Sequence, residues 1–265
     1  MKIGNKTFAK GTHIMAIVNL TPDSFYEGSR ATADDVLVRV EKAIKDGAEV
    51  IDIGGQSTRP SYAPVSAQEE WQRLEKPIEA VKRNFDIPLS VDTYYPYVAQ
   101  NALEMGADLI NDIWGLQYQD DCSMAQIIAK HNASVCIMQN QNKISDDNRL
   151  WQDMFTFLDK SVKIAKDAGI DEDKILIDGG IGFGKSKQQN WIVLDEYEKL
   201  GKYGYPLLLG TSRKSMFGGE IKDRLEPTLE STRLAVRKGV MFVRVHDVKE
   251  NYQAIERERS LMGEI

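Results

Sequence analysis

The sequence is short of several things, and each shortage removes a class of protein. It has two cysteines, Cys122 and Cys136, with no metal-type spacing and too few for a disulfide framework; they read as reduced thiols, which suits a cytoplasmic protein. Histidine is scarce too, with three: His13, His131 and His246. Positive charge is outnumbered, 34 Lys and Arg against 40 Asp and Glu, and a net charge of -6 argues against nucleic acid as a partner. No apolar run is long enough to cross a bilayer, and the opening "MKIGNKTFAK" lacks the apolar core of a signal peptide. The expectation is a cytoplasmic protein that binds neither nucleic acid nor membrane. No low-complexity linker or break in composition divides the chain, and 265 residues of which 42% are hydrophobic can bury the core of one domain spanning 1–265.

What is present is a recurring unit: an amphipathic helical stretch, a glycine, a short β-rich run, then a polar loop. "DGAEVIDI", "MGADLIND" and "KGVMFVRVHD" show it, with Gly47, Gly106 and Gly239 placed as left-handed helix stops. The apolar runs that follow fit strands buried on both faces, as in a parallel sheet. The expected strands are Ile14–Val18, Glu49–Ile53, Pro88–Val91, Leu109–Asn111, Ser134–Met138, Ile175–Asp178, Pro206–Leu209 and Phe242–Val245. Between them lie helical stripes, one opened by Thr32 and another by a Ser66/Glu69 capping box. Eight strands alternating with helices predict a (β/α)8 TIM barrel, with "KIGNKTFAKG" as a short N-terminal hairpin across its floor. A doubly wound open sheet is the alternative.

Barrels of this kind carry their chemistry in the loops after the strands. Asp92, Asn111 and Asp178 fall at apolar strand ends, where a carboxylate is costly unless paired. A flat nitrogen heterocycle would satisfy all three, its N–C–N edge meeting the acids and its acceptor side meeting Lys214. The plain alternative is internal ion pairing, for instance of Asp178 with Lys214 or Lys185. A second group, Asn19, Arg59, Arg244 and His246, suits a phosphate or pyrophosphate, with Asn19 helping to hold a hydrated Mg2+. The plain alternative there is pairing of Arg59 and Arg244 with surface acids, and Asp247 fixing the tautomer of His246. His13 and His131 read as structural or solvated. "GIGFGK" lacks P-loop spacing and reads as a tight turn that sets Phe183 over the pocket. Trp114 is expected under its loop, and Trp71, Trp151 and Trp191 in helix packing.

In order along nearly the whole chain, "MAIVNLTPDSF", "EVIDIGGQSTRP", "PLSVDT", "ADLINDIWG", "IDGGIGFGK", "LLLGTSRKS" and "VRVHDV" resemble the motifs of the dihydropteroate synthase family. That resemblance implies a Mg2+-dependent transferase joining 6-hydroxymethyl-7,8-dihydropterin pyrophosphate to 4-aminobenzoate, inhibited by sulfonamides and homodimeric through its last helices. It implies catalytic roles for Asn19, Asp23, Arg59, Lys214, Arg244 and His246, with Asn19 at the metal. It puts Asp92, Asn111, Asp178 and Lys214 around the pterin, Met138 and Phe183 as apolar walls, and Arg244 stacked on the ring. Asn19, Arg59, Arg244 and His246 would take the pyrophosphate. Thr58, Arg59, Pro60, Phe25, Lys214 and Ser215 would take the aminobenzoate, its carboxylate meeting Ser215 and the amides of a helix starting there. Arg213 would support the turn.

Three positions depart from the family pattern: Glu27 where Asp is more frequent, "DGG" for the usual "DPG" after the sixth strand, which loosens that turn, and Gln139 where His is usual. Two other readings use the same residues: a methyltetrahydrofolate–corrinoid methyltransferase, which needs no anion group, and a weakly active pterin-binding paralogue.

Overall fold

The strands form where the sequence alternates two apolar sets, one for each face of a closed sheet. In this computed structural model, which describes residues 1–20, 33–56, 64–119, 121–141, 144 and 146–263, the barrel strands are β3 (His13–Asn19), β4 (Val50–Gly54), β5 (Leu89–Asp92), β6 (Leu109–Asp112), β7 (Ser134–Met138), β8 (Ile175–Asp178), β9 (Leu207–Leu209) and β10 (Phe242–Val245). Each pairs in parallel with its neighbours, and β10 closes against β3, so the open doubly wound alternative is excluded. The expected strands all lie within one residue of the observed ends. Thr32, which was to open the first helix, lies outside the described residues.

Outward-facing residues such as Ile14, Ala16, Ile51, Ile53, Val91, Ile137, Ile177 and Val243 pack against the surrounding helices in one continuous core. Those helices are α1 (Ala33–Lys45), α2 (Ala67–Asn84), α3 (Pro96–Glu104), α4 (Ser123–Lys130), α5 (Leu150–Asp167), α6 (Lys187–Asp195), α7 (Leu225–Arg237) and α8 (Val248–Leu261). Gly47, Gly106 and Gly239 do stop helices in the left-handed region, at φ of 108°, 93° and 67°. The capping box of α2 is half made. Ser66 Oγ accepts from the Glu69 amide at 3.2 Å, but the Glu69 carboxylate turns to Arg73 at 2.5 Å instead of reaching back. A complete box forms at α6, between Ser186 and Gln189.

The inward residues at the amino ends of the strands are apolar, and they make the floor. Met15, Val50, Leu109, Cys136, Leu176, Leu208 and Phe242 meet Ile3 and Phe8 of the hairpin, whose strands are β1 (Lys2–Ile3) and β2 (Lys6–Thr7). Phe242 is fully buried, edge-on to Phe8 at 4.9 Å. Phe242→Ala is therefore expected to cost about 3–5 kcal/mol of folding stability, read by chemical denaturation, because the lost ring leaves a cavity between elements that cannot collapse. His13 belongs to this end as well, bonded to Glu49 at 2.8 Å and set against Phe8, while His131 ends α4 beside Gln100, so both are structural.

Trp71 and Trp151 pack against the outer core as expected, and Trp114 lies partly buried by Met138 and Ile113. Trp191 does not pack inward. It is 44% exposed and leans on Phe217, because the buried side of the short α6 is taken by Gln189, Asn190, Val193 and Leu194.

Candidate active site

Two residues further along four of the strands, the inward column changes from apolar to polar. Above Val50 stands Asp52, above Phe242 stands Arg244, and above Leu109 and Leu176 stand Asn111 and Asp178. Strand register sets Asp92 beside Asn111 and Met138 beside Asp178, so one ring of the barrel mouth carries an amide, two carboxylates and a thioether. Period-two geometry alone makes this ring: a strand that puts an apolar residue on the floor puts its next-but-one residue into the pocket.

Arg244 lies inside this pocket. Its Nε donates to Asp52 Oδ2 at 2.7 Å, and one terminal nitrogen donates to Asp92 Oδ2 at 2.7 Å. The sequence grouped Arg244 with the rim cations and offered surface acids as its plain partners. Its partners are instead two buried carboxylates, because Arg244 follows Phe242 by two and so points into the barrel. Asp52, completely buried and also held by Ser90 Oγ at 2.5 Å, was not picked out from sequence, where it looked like the middle of a strand. Burial works against the Arg244 charge, but Asp52 and Asp92 more than offset it and hold its pKa above the ordinary arginine value. Burial likewise pushes the Asp92 carboxyl up, against the pull of Arg244. Asp92 Oδ1 is buried with no hydrogen-bond partner, an acceptor aimed at something the folded chain does not supply.

On the opposite wall, Asp178 Oδ1 accepts from the Gly180 amide at 2.7 Å. The ion pair of Asp178 with Lys214 or Lys185 is not formed. Lys214 Nζ donates to the Ile181 carbonyl and sits 4.8 Å over the Phe183 ring. Lys185 Nζ donates to the Gln139 side chain and to the Gly180 and Phe183 carbonyls at 3.0 and 3.2 Å. Burial lowers both ammonium groups, Lys214 to about 8 and Lys185 to about 7. Lys214 nonetheless feels the charges of Asp178, Arg244 and Asp92, so the four share one neighbourhood. The glycine-rich turn makes room for this: a Cβ on Gly182 would lie 3.1 Å from Lys214 Cδ, and one on Gly180, at φ 62°, would overlap the Gln139 carbonyl. Met138 and Phe183 lie in an apolar wall with Tyr94, Ile113 and Trp114.

The rim is built differently from the interior. Arg213, at φ 53°, turns away from Lys214 and grips Asp247 with two bonds of 2.7 Å. Asp247 is thereby taken, and the His246 ring bonds Ser212 Oγ at 2.9 Å instead. His246 and Ser215 are exposed. The helix expected at Ser215 is a single 3-10 turn, Ser215–Phe217, ended by Gly218 at φ 73°. Asn19 ends β3 facing the same mouth. A Cβ on Gly54 would lie 3.7 Å from Asn19 Oδ1 and 3.8 Å from Asp92 Oδ2. Asp23, Phe25, Glu27, Thr58, Arg59 and Pro60 lie outside the described residues.

The parallel barrel whose mouth holds Asp92, Asn111, Asp178 and Lys214 is matched over residues 15–246 by a family model of pterin binding enzymes. The chain belongs to that class. The dihydropteroate synthase of Clostridium beijerinckii is 46% identical over 262 residues, covering 96% of both chains, and that of Bacillus subtilis is 42% identical over 92% of this chain and 86% of its own. Among solved structures, the Clostridium difficile dihydropteroate synthase crystallised with pteroic acid superposes with a TM-score of 0.91 at 42% identity, covering 96% of this chain and 98% of its own. The Yersinia pestis dihydropteroate synthase complexed with a sulfonamide drug has the same TM-score, 0.91, at 34% identity over 99% of each chain. Within the pterin-binding class, the chain belongs to the dihydropteroate synthases.

Proposed function

We propose that this mouth condenses 6-hydroxymethyl-7,8-dihydropterin pyrophosphate with 4-aminobenzoate, giving 7,8-dihydropteroate and pyrophosphate. The observation that carries the residue assignment is the convergence of Asp92, Asp178, Arg244 and Lys214 in one pocket, with a buried Asp92 oxygen left unpaired. Asp92, Asn111 and Asp178 accept from the donor edge of the pterin, and Lys214 meets its acceptor side. Met138 and Phe183 sandwich the ring with the help of Arg244, which stays charged because Asp52 remains bonded to it when the pterin claims Asp92.

The bond that breaks joins the pterin methylene to the pyrophosphate oxygen, and both electrons leave with that oxygen. The ring spreads the resulting cation, the arylamine nitrogen donates its lone pair to form the new C–N bond, and its proton passes to solvent. No strong base is required, since an arylamine is nucleophilic when neutral. Arg59, Arg244 and His246 receive the developing negative charge. Asn19 offers a neutral hard oxygen where a Mg2+ would take its remaining ligands from pyrophosphate and water, and no cluster of three acidic, His or Cys ligands exists among the described residues to hold it otherwise. When bound, that ion supplies positive charge to the leaving group.

Purified protein with Mg2+ and both substrates is expected to release one pyrophosphate per dihydropteroate formed, with sulfonamides competing against 4-aminobenzoate. Well-folded protein that released none would remove this reading. We also propose a homodimer through the last helices, supported by the exposed Tyr252, Leu261 and Met262 at α8; sedimentation velocity decides it. No described helix is long and apolar enough to cross a membrane.

A further inference from the structure

Tyr197 plays no part in the chemistry above, yet it is fully buried against the strand that carries Asp178. It opens the 3-10 segment Tyr197–Tyr203 after α6, and its hydroxyl reaches three polar neighbours. It accepts from the Gly179 amide at 2.9 Å, donates to the Leu208 carbonyl, and lies 3.3 Å from Asp178 Oδ1. Asp178 and Leu208 are register partners of β8 and β9, so this one hydroxyl spans the strand pair at the level of the pocket. The Gly180 amide completes a collar around Asp178 Oδ1, while Oδ2 is turned toward Gly210, 3.6 Å from where a Cβ there would stand. Holding one carboxylate oxygen in this way fixes the rotation that decides where the other points.

Gly179 is shaped to the same ring. A Cβ added to it would meet Tyr197 Cε2 at 2.9 Å and Leu200 Cδ1 at 3.0 Å. A proline at 179 would bring neither the amide hydrogen that Tyr197 accepts nor the space that Tyr197 needs. The "DGG" turn is therefore not loose, as its composition suggested. Its extra donor is satisfied from outside the turn.

We propose that Tyr197 is a positioning residue for the pterin pocket: through the Gly179 amide and the β8–β9 junction it holds Asp178 so that Oδ2 is presented to the ligand, and Tyr197 and Gly179 act as an interdependent pair. This rests on the reading that Asp178 binds the pterin. Tyr197→Phe deletes the hydroxyl and leaves the Gly179 amide and Leu208 carbonyl without a partner. The KM for the pterin pyrophosphate is expected to rise about tenfold, as for loss of a buried hydrogen bond, while the KM for 4-aminobenzoate stays within about twofold. A residue that merely supported the fold would move both constants or neither. Asp178→Asn measured alongside separates the two ideas. If it raises the pterin KM while Tyr197→Phe changes nothing, the positioning role is overturned and the pocket stands; if it too is silent, both fall. Should Tyr197→Phe fail to fold, Gly179→Pro and Tyr197→Leu are compared singly and together. The single Gly179→Pro variant is expected to lose pterin affinity and the double variant to regain at least half of that loss on a logarithmic scale. Additive losses, or a silent Gly179→Pro, would overturn the pairing.

Discussion

Arg244→Met is expected to lower kcat/KM for the pterin substrate by at least about a thousandfold, and to cost about 3–5 kcal/mol of stability. The stability loss follows from the geometry: Asp52 is completely buried, Asp92 nearly so, and their shared cation sits at 2.6 and 2.7 Å. Removing it strands two buried carboxylates without their shared cation. The activity loss has a separate origin, since the guanidinium bonds to both β4 and β5 inside the pocket. The two effects can be told apart. Adding Asp52→Asn to Arg244→Met removes one stranded acid and should recover part of the stability with none of the activity. The deficit should also depend on pH. Burial already holds the Asp92 pKa above its unfolded value, and losing Arg244, which pulls it down, raises it further. A carboxyl raised in the folded state favours folding while protonated, so the variant should be closest to wild type near pH 5 and fall away as pH rises through neutrality. A uniform deficit across that range would mean that the Asp92–Arg244 contact is not what the charge supports.

Lys214→Ala is expected to lower activity by about a hundredfold or more, on the order of 3 kcal/mol of transition-state binding. Lys214 reaches its place through a gap left by Gly182 and is steadied by the Ile181 carbonyl and the Phe183 face, so its ammonium is aimed before any ligand arrives. Burial lowers its pKa from the ordinary lysine value to about 8 despite Asp178. The charged form therefore begins to disappear above that pH. Wild-type kcat/KM for the pterin should fall on the alkaline side near pH 8, and Lys214→Arg, whatever its rate, should move that limb upward. A limb that stayed in place would belong to another group, and an alanine variant near the wild-type rate would remove Lys214 from the pocket altogether.

The parallel sheet was legible because its strands are buried on both faces, as in such runs as "VCIM" and "ILID", and the count of eight strands favoured closure. The glycines that end the helices gave the spacing. Asp92, Asn111 and Asp178 were visible because a polar residue at the end of an apolar run is conspicuous. Asp52 was not, although the same alternation that fixes Val50 on the floor fixes Asp52 above it; its signal was one acid inside "VIDIG", and its partner lies 192 residues away. Tyr197 gave even less sign, since "DEYEKL" reads as a solvated helix end. The Arg213 and Lys214 pair shows the limit in another form. Lys214 was read as the inward one of two adjacent cations, but the left-handed backbone at Arg213 that separates them is a property of the folded loop.

The hairpin that plugs the lower end of the barrel has a kinetic corollary. With Ile3 and Phe8 packed into the floor, a molecule seated against Asp92 and Asp178 is approached from the loop end of the barrel. Whatever occupies the deeper seat must arrive before whatever sits outside it. On the proposed assignment that makes the pterin the leading substrate, an order imposed by a two-strand hairpin at the opposite end of the same closed cylinder.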